Sequence, residues 1–228
     1  MAENTSLKAN FARTMWRLIP KAVRYGMVQK YDEAYRDFHL FVDGFYDRRL
    51  GIETRWHLRQ DEEDTRATAF GDPRMIKSTP YLMLREMRSY LQPQADDVFL
   101  DIGSGAGRVV FFMAQSGVGK SKGIDFAEKA HESACKNLES ANVDKEKVSF
   151  EQGDAAKMPI DDATMIFLGN PFGEGTMSRV LQNIEESLER NPREIRICYY
   201  NPTCKSLFDQ RDWLSQIHAI SSLKKPTL

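Results

Sequence analysis

Four short groups of residues in this sequence have types and spacings suited to chemistry. The first is Asp101-Ile102-Gly103-Ser104-Gly105-Ala106-Gly107. Glycines in such a run permit a tight turn and let a ligand lie against bare backbone at the start of a helix. The second is Asp125, 22 residues beyond Gly103. At a strand tip such a carboxylate can accept both hydroxyls of a ribose. The third, Gly153-Asp154-Ala155, offers a carboxylate that can accept from an adenine amino group. The fourth is Asn170-Pro171-Phe172-Gly173, in which an amide, a backbone carbonyl and an aromatic ring stand together. Tyr199 and Tyr200 alternate along a strand, so at most one of them belongs to a site.

Each group also has a plainer reading. The glycines could merely close a turn. Asp125 with Glu128 three residues later is arranged like a capping box. Asp154 could cap a turn ahead of Pro159, and Asn170-Pro171 could simply end a strand. The dinucleotide fingerprint G-x-G-x-x-G, begun at Gly103, requires glycine at position 108, where this chain has Arg108. His39, His57, His131 and His218 share no motif, and His131 reads as a solvated helix residue. No metal-binding residues and no Ser/His/Asp grouping emerge.

The elements that must position these groups alternate between short apolar runs and amphipathic stretches. Strands are expected at 98–102, 122–125, 148–151, 164–168 and 195–200. Helices are expected at about 108–116, 128–141 and 178–190. Such alternation implies parallel pairing through right-handed crossovers, hence an α/β, doubly wound, mostly parallel sheet. All four groups then fall at the carboxyl edge of one sheet, where open α/β sheets bind ligands. Ahead of the strands the chain reads as helix. Phe11, Met15, Leu18 and Ala22 recur at helical spacing, and Pro20 suits the first turn of a new helix. An aromatic stretch runs from Tyr31 to Phe45, and Tyr81, Leu84, Met87 and Tyr90 form one face of a helix over 80–91. The run 59–64 reads as an exposed connection. The division expected is an N-terminal helical lid and acceptor region over 1–92 and a nucleoside-binding domain over 93–228. Only 28 residues follow Tyr200, and 215–223 supplies one further strand at most.

The chain has 228 residues, 41% hydrophobic and 29% charged, which fits a folded globular protein and excludes a disordered one. Its longest apolar run, Val109 to Ala114, falls far short of the roughly 20 residues needed to span a bilayer. Cys135, Cys198 and Cys204 have no metal or redox spacing, and with no leader-like start they point to a cytoplasmic protein. The net charge of −1 argues against a general nucleic-acid binder. The first 60 residues nevertheless hold 11 Lys and Arg against 7 Asp and Glu. Arg13, Arg17, Lys21 and Arg24 form a stripe that reads as a solvated face, with surface membrane contact or an acidic partner as the alternative.

Taken together over residues 95–202, the four groups resemble the class I S-adenosylmethionine-dependent methyltransferases. The resemblance implies a Rossmann-like fold with S-adenosyl-L-methionine as cofactor. It implies that Asp101, Gly103 and Gly105 hold the methionine end and that Asp125, with Phe126 beside it, holds the ribose side. Asp154 and Ala155 would hold the adenine, and Tyr81 would stand near the methionine end. Asn170, Pro171 and Phe172 would line the acceptor side, with Asn170 also touching the cofactor. Thr79-Pro80-Tyr81, the Asn-Pro-Phe turn and Tyr199-Tyr200-Asn201-Pro202 look like an uncharacterised bacterial group, distantly similar to seven-strand-fold histone lysine methyltransferases.

Methyl transfer from a sulfonium is an in-line displacement, for which a protein supplies position and dryness. Enzymes that methylate adenine or glutamine amines carry an Asn-Pro-Pro-aromatic turn. This chain has one proline there, followed by Phe172 and Gly173, which argues against a nucleic-acid acceptor. The expectation is transfer to an N or O atom of a small molecule, with a protein lysine or other protein nitrogen as the alternative. A nicotinamide-dependent oxidoreductase and a non-catalytic cofactor-binding protein are the competing classes. The short C-terminus leaves a sheet edge that a second copy could cover, so a homodimer is also expected.

Overall fold

The computed structural model describes residues 21–54 and 78–219. Two compact units divide the chain, residues 1–41 with 216–228 and residues 42–215, and all four groups lie in the second. Phe11, Met15, Leu18, Arg13, Arg17, His57 and the run 59–64 fall outside the described residues, as do the side chains of Lys21 and Arg24.

The apolar runs form five parallel strands: β1 (Val98–Ile102), β2 (Lys120–Asp125), β3 (Val148–Gln152), β4 (Met165–Leu168) and β5 (Arg196–Tyr199). They pair in the order β3-β2-β1-β4-β5. The chain moves outward in one direction from β1 to β3, then returns to the other side of β1 with β4. The order reverses between β1 and β4, and such a switch point opens a crevice at the carboxyl ends of the strands. Along β1, Phe99 packs on one side of the sheet while Leu100 and Ile102 pack on the other. β4 repeats the alternation, with Met165 and Phe167 opposed to Ile166 and Leu168. Every residue of β4 is buried, as expected of a central strand covered on both faces.

Helix α2 (Tyr81–Leu91) and α3 (Arg108–Ala114) supply one core layer through Leu84, Met87, Val109 and Val110. α4 (Glu128–Ser140) follows β2, and α5 (Glu174–Arg190) covers the opposite layer with Met177, Val180, Leu181 and Ile184. A short α6 (Lys205–Asp209) follows β5, and residues 215–219 add no strand.

α1 runs over Lys21–Leu50, and one expectation, the buried face of α2, is corrected. Phe38, Phe41 and Phe45 are exposed, whereas Asp43, Asp47 and Leu50 are buried. In α2, Leu91 completes the buried face and Tyr90 is exposed. Burial follows what lies opposite, which periodicity cannot reveal.

Candidate active site

Three backbone N–H groups fasten the glycine loop to the tip of β2. Gly103 N and Ser104 N both donate to the carbonyl of Ile124, at 2.8 and 3.1 Å. Gly105 N donates to Asp125 Oδ2 at 2.7 Å. Gly103 has φ +81°, a left-handed conformation that disfavours any side chain. A Cβ added there would lie 2.5 Å from the Cβ of Pro171. The Asn170-Pro171 turn therefore lies directly against the glycine loop, across the switch point. Gly107 (φ +88°) caps the loop, and a Cβ there would stand 2.5 Å from the Phe150 ring.

Asp101 ends up 2% exposed, and among the described residues no donor reaches its carboxylate. Burial raises its pKa well above the ordinary carboxylate range, and the neighbouring Asp125 charge adds to the effect. A buried acid without a donor is costly unless a cation or donor is supplied from outside. Asp125 is raised by burial too, but backbone N–H groups of Ala127, Gly105 and Phe126 oppose the shift. Its Oδ1 accepts from Ala127 N at 2.9 Å, so the acid closes an Asx turn instead of capping α4, whose N-cap is Ala127. A carboxylate has about four lone-pair sites, so hydroxyl donors can still be accommodated. Phe126 directs an apolar ring outward at 40% exposure beside these acids.

At the tip of β3, Asp154 accepts from Ala156 N at 3.0 Å and lies 3.6 Å from Lys157. Ala155 is buried, and its carbonyl accepts from Asn183 Nδ2 at 2.8 Å. Asp154 thus closes a local turn and pairs its other oxygen with Lys157.

Asn170 adopts φ +61° at the tip of β4. Its Oδ1 accepts from Thr203 Oγ1 at 2.7 Å and from Tyr199 Oη at 3.3 Å. Tyr199 Oη in turn accepts from Cys204 N at 3.2 Å. Tyr199 faces the layer that contains Phe172, and Tyr200 packs on the other layer. The two tyrosines therefore divide as alternation requires, with Tyr199 beside the turn. Thr203 and Cys204 escaped the sequence reading, although Asn201-Pro202 just after β5 marks a turn that brings them back.

A buried charged network also went unread. Arg108 is the first residue of α3 and is 4% exposed. A cation at a helix N-terminus opposes the helix dipole, and two carboxylates from α1 offset that penalty. Arg108 Nη1 lies 2.7 Å from Asp43 Oδ2, and Nη2 lies 3.4 Å from Asp47 Oδ2. Arg108 Nε donates to Thr54 Oγ1 at 2.6 Å, and its guanidinium sits 4.9 Å from the centre of the Tyr81 ring. Tyr81 is fully buried; its hydroxyl donates to Asp47 Oδ1 at 2.8 Å and its N–H to Asp43 Oδ1 at 3.0 Å. Burial and Asp47 push the Tyr81 pKa up, so the hydroxyl stays protonated. Asp43 and Asp47, one turn apart on α1, were the available sign of this network. Just ahead of Tyr81, Thr79 reaches the other side of the site, where a Cβ on Gly169 would lie 3.7 Å from Thr79 Oγ1.

His131 is half-buried, not solvated, with Nε2 3.5 Å from Cys135 Sγ. No group of His, Cys, Asp and Glu among the described residues could hold a metal ion. No helix among them is long and apolar enough to cross a membrane.

Comparison with known proteins adds a family. The profile of a family described as a methyltransferase domain matches residues 93–222. The ribosomal protein L11 methyltransferase of Dictyoglomus thermophilum is 29% identical over 157 residues, covering 67% of this chain and 50% of that protein. The chain thus spans about half the length of that relative. Among solved structures, an RNA methyltransferase from Salinibacter ruber in complex with S-adenosyl-L-homocysteine is 29% identical. It covers 47% of this chain and 68% of its own, with a TM-score of 0.41. A methyltransferase from Geobacter sulfurreducens, also in complex with S-adenosyl-L-homocysteine, is 24% identical over 53% of this chain and 47% of its own, with a TM-score of 0.41.

Proposed function

The chain belongs to the methyltransferase-domain family, and from that premise we propose that it is an S-adenosyl-L-methionine-dependent methyltransferase whose acceptor is a small molecule methylated on an N or O atom. When bound, S-adenosyl-L-methionine supplies a methyl group on a sulfonium, a leaving group that needs no further activation. The chain's own residues then have to bind, orient and exclude water. In this reading the bare backbone of Gly103 and Gly105 receives the methionine end, and Asp101 receives its ammonium group. Asp125 accepts the ribose hydroxyls, Phe126 lies along the adenine, and Asp154 with Ala155 meets the adenine edge. Tyr81 acts through the network that it closes with Asp47, not through a hydroxyl offered to the cofactor. Asn170, Pro171 and Phe172 face the acceptor.

One observation carries the acceptor assignment: the Asn-Pro turn packs against the glycine loop, with Pro171 at Gly103. Its other side is bounded by Tyr199, Thr203 and Cys204. A turn held between two walls suits a small planar molecule better than a broad polymer surface. The acids at these strand tips offer a phosphate backbone no countercharge. The test pairs calorimetric titration with S-adenosylhomocysteine, in wild type and Asp125→Ala, with turnover on a panel of small phenols, acids and amines. Turnover on polypeptides alone would overturn the small-molecule reading.

A protein nitrogen is the second reading, favoured by the likeness to a ribosomal protein L11 methyltransferase and by the resemblance to lysine methyltransferases. Residues 1–92 act in our reading as a lid and acceptor region, with the basic N-terminal stripe available to an acidic surface. We place the enzyme in the cytoplasm, in keeping with three free cysteines. We also expect a homodimer; a monomer mass independent of concentration would reject it.

A further inference from the structure

Away from the strand tips, one buried side chain grips the glycine loop. Asn137, near the end of α4, donates from Nδ2 to Ala106 O at 2.9 Å and to Glu53 O at 3.0 Å. Its Oδ1 accepts from Glu53 N at 2.9 Å. The amide can point only one way, because the two carbonyls can only accept and the backbone N–H can only donate. Arg108, on the far side of Gly107, reaches the same segment through Thr54 Oγ1. Residues 53 and 54 are thus tied to the chain on both sides of Gly107, through Asn137 at Ala106 and directly at Arg108. Gly107 needs such a tie. Its φ is +88°, but glycine adopts either sign of φ freely, so the Ala106–Gly107 peptide is free to turn over unless held. Asn137 holds the carbonyl of that peptide, and its N–H donates to Ser104 O at 2.9 Å. With both ends engaged, the peptide plane is fixed.

We propose that Asn137 is a positioning residue for the cofactor, fixing the glycine loop for the methionine end and coupling the occupied loop to residues 53 and 54. The inference rests on the assignment of that loop to the methionine end of S-adenosyl-L-methionine. Asn137 acts through the Ala106–Gly107 peptide and not by contact with the cofactor. A ligand that needs the loop in this one arrangement favours the docked state of residues 53 and 54. Docking of those residues favours the ligand by the same factor. Other bonds between the end of α4 and this stretch lack that consequence. Ser140 Oγ donates to Gly51 O at 2.7 Å and Asn142 N donates to Leu50 O at 2.7 Å, but neither residue bonds to the loop.

The test compares two probes on the full chain by calorimetry. S-adenosylhomocysteine carries the amino-acid end that the loop receives, whereas methylthioadenosine keeps only the nucleoside and a methylthio group. Asn137→Asp still accepts from Glu53 N but turns lone pairs on Ala106 O and Glu53 O. It should weaken S-adenosylhomocysteine about tenfold, the scale of one buried hydrogen bond lost, and leave methylthioadenosine nearly unchanged. Asn137→Leu, of similar shape without polar atoms, should act in the same direction. Ser140→Ala should leave the ratio of the two affinities as in wild type. A purely structural role for Asn137 would lower both affinities together or neither, and either result overturns the proposal. A second readout needs no variant. In wild type, S-adenosylhomocysteine should slow amide hydrogen exchange at Glu53 and Thr54 by about tenfold, the reciprocal of the same coupling, and methylthioadenosine should not. Should both Asn137 variants fail to fold, this measurement alone decides. Unchanged exchange in a protein that binds S-adenosylhomocysteine rejects the inference while the cofactor reading stands. A wild-type chain that binds neither probe takes both readings down.

Discussion

Gly103 and Pro171 meet across the switch point of the sheet, so closely that a single methyl group at position 103 would overlap the proline ring. One contact thereby sets how far the loop after β1 stands from the turn after β4. Gly103→Ala should strain a left-handed backbone by about 1–2 kcal/mol and force the two segments apart. We expect a lower melting temperature and a still larger proportional loss of S-adenosylhomocysteine affinity. Unchanged affinity in a folded Gly103→Ala protein would mean that the spacing does not matter to the cofactor.

Asp101 yields opposite effects on stability and binding. Its folded pKa is raised, so between that value and the ordinary one near 3.9 the folded protein keeps a proton that the unfolded chain has lost. The unliganded protein therefore gains stability as pH falls through that window, and gains no more below it. Asp101→Asn should remove this pH dependence, raise the melting temperature at neutral pH and weaken cofactor binding. Denaturant unfolding across pH, with and without S-adenosylhomocysteine, checks all three.

Asp125 joins the loop to the next strand as well as facing the ligand. Asp125→Ala leaves the N–H groups of Gly105 and Ala127 without their acceptor. The same change takes away the acceptor for the ribose hydroxyls. Affinity for S-adenosylhomocysteine should therefore fall by about ten- to a hundredfold or more. Asp125→Asn retains an acceptor oxygen and should fall between the two in the same titration.

The Arg108 network makes a strong prediction about folding. Arg108→Met would leave Asp43 and Asp47 buried with no countercharge, at a cost of about 3–5 kcal/mol. The exposed ion pair of Arg190 with Asp161 provides the contrast, since Arg190→Ala should leave the melting temperature unchanged. Two equal shifts in the same thermal scan would contradict this account.

The parallel sheet was legible because the central strands β1 and β4 are short apolar runs beside turn signals, and Asp101, Asp125, Asp154 and Asn170 mark four strand tips. Asp43, Asp47 and Arg108 were not legible as a unit. Their meaning lies in a contact between α1 and α3 more than 60 residues apart, and α1 carries the more conspicuous Phe38, Phe41 and Phe45, which are exposed. Thr203 was missed for a related reason. A hydroxyl in a turn has no periodicity, and only the return of the chain after β5 brings it to Asn170.

The left-handed backbone at Asn170 also limits how this protein could evolve. Glycine, asparagine and aspartate tolerate that conformation, whereas most other side chains incur about 1–2 kcal/mol. A descendant adapting to another substrate has few options at position 170 itself.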